Sequence, residues 1–131
     1  MRRLLLAVPL LALAALPAGA AEPKFPADVQ WVAESLAGKA FAPVSRPTLR
    51  IAPDGRASGT AGCNRYMGTA SLSGASLGFG GLAMTKMACF GAGGENESRF
   101  APALGSARSW RMEKRSLIIE TANGPLRFRR R

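Results

Sequence analysis

The stretch Thr48-Leu49-Arg50-Ile51-Ala52-Pro53-Asp54-Gly55-Arg56-Ala57-Ser58-Gly59-Thr60 reads as a β-hairpin. Residues 48–51 alternate polar and apolar, which is the period of a half-buried strand. Pro53-Asp54-Gly55 is a turn sequence, because proline presets φ and glycine accepts a positive φ. Residues 56–60 then return as the partner strand.

Working outward toward the C-terminus, residues 67–72 and 77–82 read as two more strands, joined across Ser73-Gly74-Ala75-Ser76. Residues 110–112, 117–119 and 126–128 alternate again. Their linkers are Glu113-Lys114-Arg115 and Thr121-Ala122-Asn123-Gly124, the second carrying the Asn-Gly hairpin signal. Toward the N-terminus, residues 29–36 around Trp31 read as a strand or short helix, and Leu36-Ala37-Gly38-Lys39 as a turn. One segment departs from the alternation. Phe100, Ala103, Leu104 and Ala107 recur at helical spacing, with Glu95 and Glu97 ahead of them where negative charge suits a helix N-terminus. Pro102 is awkward inside a helix and predicts a kink or a late start. The expected fold class is α+β and mainly β: an antiparallel sheet, curled or closed, with one helix between the fifth and sixth strands.

The chain has 131 residues, enough for one domain, and a formal net charge of +10. It begins with a basic Met1-Arg2-Arg3, an apolar run over residues 4–16 and an Ala18-Gly19-Ala20 ending. That order describes a secretory signal peptide over residues 1–20, with a run too short to span a bilayer. A periplasmic location, free or envelope-associated, is therefore expected, with a single mature domain over residues 21–131 and no transmembrane segment. Without Arg2 and Arg3, 16 Lys+Arg face 8 Asp+Glu, a net charge of +8.

The chain contains no histidine. This removes Ser-His-Asp triads, Cys-His dyads and imidazole metal sites, and two cysteines cannot build a four-thiolate zinc site. No catalytic residue, no metal site and no cofactor are expected. Outside the cytoplasm, Cys63 and Cys89 are disulfide candidates, and closing a loop of that size contributes roughly 3.5 kcal/mol on the chain-entropy model. The alternative is two separately buried thiols.

Two stretches are the least generic. The first is Gly59-Thr60-Ala61-Gly62-Cys63-Asn64-Arg65-Tyr66-Met67-Gly68. The second is Met84-Thr85-Lys86-Met87-Ala88-Cys89, followed by Glu97, Phe100, Ala103 and Leu104. In this order they resemble the META/HslJ family of small exported bacterial domains, over most of the chain after Trp31. The resemblance implies a curled antiparallel sheet or open barrel with one packed helix. It also implies an association with heat shock, antibiotic tolerance and the bacterial envelope, without an established biochemical activity. Gly91-Ala92-Gly93-Gly94 departs from the family pattern.

Read physically, the motif glycines, Gly62 and Gly68 among them, supply positive φ or close backbone approach. Asn64 suits a bond back to its own backbone, and Tyr66 brings an apolar ring with one polar handle. These serve a tight corner. The functional alternative is that Asn64, Arg65 and Tyr66 face a ligand, and Thr85 and Lys86 divide in the same way, Lys86 being expected exposed rather than catalytic.

Half of the 18 cationic residues lie from Arg99 onward. Arg111, Arg115, Arg127 and Arg129 are the basic-surface candidates, for anionic lipid or polysaccharide rather than nucleic acid. Two functions follow from different classes. One is a non-enzymatic envelope stress-response domain acting through a protein partner. The other is a periplasmic binding module for a small apolar or anionic, lipid-like ligand. Either is expected to be a monomer.

Overall fold

The alternating segments become strands, and the strands close on themselves. The computed structural model describes residues 4–15 and 22–131. In chain order these hold β1 Trp31–Leu36, β2 Lys39–Ala40, β3 Thr48–Ile51, β4 Arg56–Thr60, β5 Arg65–Ser73 and β6 Ser76–Met84. There follow α1 Ala92–Gly105, β7 Ala107–Glu113, β8 Ser116–Thr121 and β9 Gly124–Arg130. Strands β1 and β3 to β9 pair antiparallel with their neighbours, and β9 returns to pair with β1. Closure runs from Trp31 opposite Arg130 to Leu36 opposite Leu126, with a bulge between Ala33 and Ser35. The result is a closed eight-stranded barrel, with β2 hydrogen-bonded outside β1. Closure leaves no long exposed strand edge at this seam.

Period two sorts the side chains. Leu117 and Ile119 of β8, Leu126 and Phe128 of β9, Trp31 and Ala33 of β1, and Leu49 and Ile51 of β3 are all buried. Strands β6 and β7 share one register pair, Ser76 with Ser109. The helix packs against β6 and β9 and sends Phe100, Ala103 and Leu104 into the core. Phe100 is the hub there. Its ring lies edge-on to Phe41 and Phe128, each at 6.2 Å, and tilted against Tyr66 at 5.9 Å.

Three details differ from the reading of the sequence. The open-barrel alternative gives way to full closure, because β9 is long enough to reach β1 along five register pairs. Residues 36–39 are a turn only at Ala37 and Gly38; Leu36 and Lys39 pair across it, so the helix follows six strands instead of five. The helix starts eight residues before Phe100, and Ala107 belongs to β7. Pro102 sits inside it on the exposed side and does not delay its start. Residues 93 and 94 are helical despite being glycines, because the first turn crowds the chain near Gly62 and Cys89.

The signal-peptide reading covers residues 1–20. Residues 4–15 are exposed and carry neither helix nor strand, while the Ala18-Gly19-Ala20 ending lies outside the described residues. Among the described residues no helix is long and apolar enough to cross a membrane.

Truncating the hub is expected to be severe. Phe100→Ala should cost about 3–5 kcal/mol in urea unfolding, since the cavity adds to the lost transfer energy. A loss below about 1 kcal/mol would contradict this account of the core.

Candidate functional site

The corner between β4 and β5 is where the unusual residues meet. Ala61 donates its N–H to Asn64 O at 2.8 Å, which turns the chain tightly around Gly62 and Cys63. Gly62 has φ 130, and a Cβ there would sit 2.5 Å from Gly93 O and 2.8 Å from Glu97 N. Only glycine lets the helix N-terminus approach so closely. Cys63 is disulfide-bonded to Cys89, with Cα atoms 6.3 Å apart.

Asn64 is 3% exposed and its side chain is fully satisfied. Oδ1 accepts from Thr85 Oγ1 at 2.9 Å and from Met87 N at 2.7 Å. Nδ2 donates to Met87 O at 3.2 Å and to Glu97 Oε2 at 2.9 Å. The other carboxylate oxygen of Glu97 accepts from Asn64 N at 2.6 Å. Thr85 Oγ1 in turn accepts from Arg65 N at 3.1 Å, and Thr85 N donates to Arg65 O at 3.0 Å. The amide thus bonds across to two other segments, where the sequence reading expected a bond to its own backbone. It pins the start of β5, the segment carrying Cys89 and helix α1 at one point.

Tyr66 is buried beneath this corner and donates its hydroxyl to Thr48 O at 2.5 Å. Burial pushes its phenol far above its ordinary pKa of 10.0. Gly59 makes room, since a Cβ there would lie 2.8 Å from the Tyr66 hydroxyl. Gly68 likewise admits Gly80 O, 2.9 Å from where its Cβ would be, beside the bulge in β5. Arg65, Thr85, Lys86, Met87 and Ala88 face solvent. An open groove of 320 Å³ runs over this surface, lined by Arg65, Tyr66, Met67, Ala83, Met84 and Thr85. Asn64, Thr85, Met87 and Glu97 therefore converge, but on one another. Phe100 points into the core.

The basic candidates separate into different settings. Arg111 pairs with Glu120 at 2.6 Å and Glu113 at 3.2 Å. Arg127 pairs with Glu113 at 3.2 Å and Glu34 at 3.9 Å, and Arg129 with Glu34 at 3.6 Å. Hydrogen bonds from Arg111 first, then Arg127, hold the Glu113 carboxyl below the usual glutamate range. Arg115 lies exposed at the β7–β8 turn. Strands β7 and β9 therefore present alternating charge at Arg111 and Arg127.

Sequence reasoning missed Asn96, which is 2% exposed. Its Nδ2 donates to the carbonyls of Ala42, Val44 and Ser45 at 3.1–3.2 Å, and its Oδ1 accepts from Ala42 N at 3.0 Å. The available signal was an asparagine inside a helix, where it is a poor former unless its amide is used.

A family model described as META domain matches residues 26–131. A search of curated proteins finds no match. One protein solved by NMR is 28% identical with a TM-score of 0.63, over 77% of this chain and 87% of its own. A protein from Burkholderia xenovorans, also solved by NMR, is 28% identical with a TM-score of 0.62, over 91% of this chain and 99% of its own.

Two outcomes test the corner. Asn64→Asp keeps the acceptors but loses the donor and sets a second carboxylate against Glu97. Its folded-state pKa is raised, so its deficit against wild type should be largest at neutral pH and shrink as pH falls through the carboxylate range. A deficit independent of pH would contradict the contact. Tyr66 is the sole tyrosine. With a raised folded pKa, its contribution is present below the ordinary value and is lost as pH rises above it. Alkaline absorbance titration should therefore show phenolate only as the protein unfolds; reversible ionisation near 10 in the folded state would refute its burial.

Proposed function

The chain belongs to the META domain family, and on that premise we propose an exported, non-enzymatic domain that supports tolerance of heat and antibiotic stress in the bacterial envelope. It acts through contacts made by its outer surface with an envelope protein. The observation carrying this reading is the closed use of the motif: the polar atoms of Asn64 all bond within the chain, to Thr85, Met87 and Glu97. A residue set consumed in this way positions the chain and leaves no nucleophile–base pair at the corner. Large side chains also fill the barrel, among them Trp31, Phe41, Phe100 and Phe128, each no more than 1% exposed. The disulfide supports an extracytoplasmic setting.

Cell fractionation tests export. The mature protein should appear in the periplasmic fraction, beginning at Ala21, with no alkylatable thiol until reductant is added. Cytosolic protein that retains residues 1–20 would sink the export reading. A deletion strain should lose survival under heat or envelope-directed antibiotic, and regain it from the chain with its leader but not without. Equal survival of deletion and parent would sink the stress reading.

A further inference from the structure

On the outer face of the barrel, Val32 of β1 stands between Thr48 of β3 and Arg129 of β9 as their register partner. Thr48 Oγ1 continues the row to β4, accepting from Thr60 N at 3.0 Å and sharing a hydrogen bond with Thr60 Oγ1 at 3.3 Å. This row lines a cleft of 350 Å³ together with Ser45, Arg46 and Arg131. Three of the lining residues are arginines, and none is aspartate or glutamate. The size falls in the range of small-molecule sites.

Two features mark the cleft as built. Arg46 Nε is buried without a hydrogen-bond partner. A guanidinium donor shut away from water without an acceptor is unfavourable, and Arg46 lines the cleft, so an anion seated there lies beside the same guanidinium. The wall that carries Arg46 is also held under strain. Ser45 adopts φ 59, a left-handed conformation disfavoured for a side-chain-bearing residue, and buried Asn96 grips the carbonyls on either side of that bend. Opposite it, Arg131 N donates to Gln30 O at 3.0 Å, which fixes the end of the β9 segment. Arg129 is partly engaged by Glu34 at 3.6 Å, whereas Arg46 and Arg131 make no ion pair among the described residues. Of the two hydroxyl protons on Thr48 and Thr60, their mutual bond uses one, and the other is left to donate.

We propose that this cleft binds a phosphoryl oxyanion, with Arg46 and Arg131 as its principal ligands and the Thr48–Thr60 hydroxyl pair as an additional donor. Arginine forks match the paired oxygens of a phosphate, and several forks around one pocket suit the several oxygens of a phosphoryl group better than a single carboxylate. The phosphate belongs either to a small soluble ester or to a lipid headgroup. The inference rests on the cleft and is independent of the stress-tolerance reading.

The test is a titration of ¹⁵N-labelled protein with sn-glycerol 3-phosphate, alongside sedimentation with phosphatidylglycerol and phosphatidylcholine vesicles. Saturable shifts at Ser45, Arg46 and Thr60 in the millimolar range or tighter are expected with the soluble ester if it is the source. Binding to phosphatidylglycerol vesicles alone would identify the lipid headgroup. Arg46→Gln and Arg131→Gln should each weaken the observed binding about tenfold, and Arg115→Gln should leave it unchanged. Thermal melts identify any variant that fails to fold; Arg131→Gln, at the exposed end of the chain, decides if Arg46→Gln does. The proposal is overturned if neither probe binds, or if the folded variants bind as tightly as wild type.

Discussion

One buried amide holds three distant parts of the chain together. Asn64 lies immediately before β5, Met87 in the connection after β6, and Glu97 in the second turn of the helix, yet all are within hydrogen-bond distance. The connection from β6 to α1 has no ladder of its own, so its backbone groups need partners from elsewhere. Asn64 supplies a donor and an acceptor to the same residue, Met87, and copies a strand pairing where no strand exists. The disulfide two residues further on closes the same junction covalently. The two devices are not redundant: the disulfide limits how far the segments separate when unfolded, and the amide sets their register when folded.

From that junction the helix is delivered to the barrel. Its first turn passes over Gly62 so closely that no side chain fits, and its next turns bring Phe100 among Phe41, Tyr66 and Phe128. The helix packs against β6, which meets β7 at one register pair only. Arg99 reaches the other way, donating to the carbonyls of Lys39 and Ala40 and lying 4.5 Å from the Phe41 ring centre. The short β2 is thereby tied to the helix as well as to β1.

The hairpins were legible because their signals are local. Pro53-Asp54-Gly55 turns as its composition dictates, with Gly55 at φ 90 and Asp54 Oδ1 accepting from Arg56 N at 2.9 Å. The helix start was not legible, because Gly93 and Gly94 oppose helix by propensity; Gly93 is selected by its approach to Gly62, remote in sequence, and Gly94 by its approach to the Cys89 backbone. Asn64 stood out in the sequence as a residue of the corner, but its partners lie more than 20 positions away and no spacing rule names them. Arg46 and Arg131 were invisible for a related reason. Each is one arginine among many in the sequence, and only the closure of β9 onto β1 brings them to the same cleft.

The two asparagines make the helix a shared support. Asn96 and Glu97 are adjacent, but Asn96 bonds the loop over residues 42–45 and Glu97 bonds the corner at Asn64. Adjacent helical residues point about 100° apart, so one turn can grip two loops on different sides. The helix cannot rotate to improve one grip without loosening the other, and both asparagines are nearly fully buried, where a lost partner is not replaced by water. This coupling explains why a poor helix former occupies position 96. It also means that the motif corner and the arginine-lined cleft are positioned by a single turn of α1, which the disulfide anchors at its base.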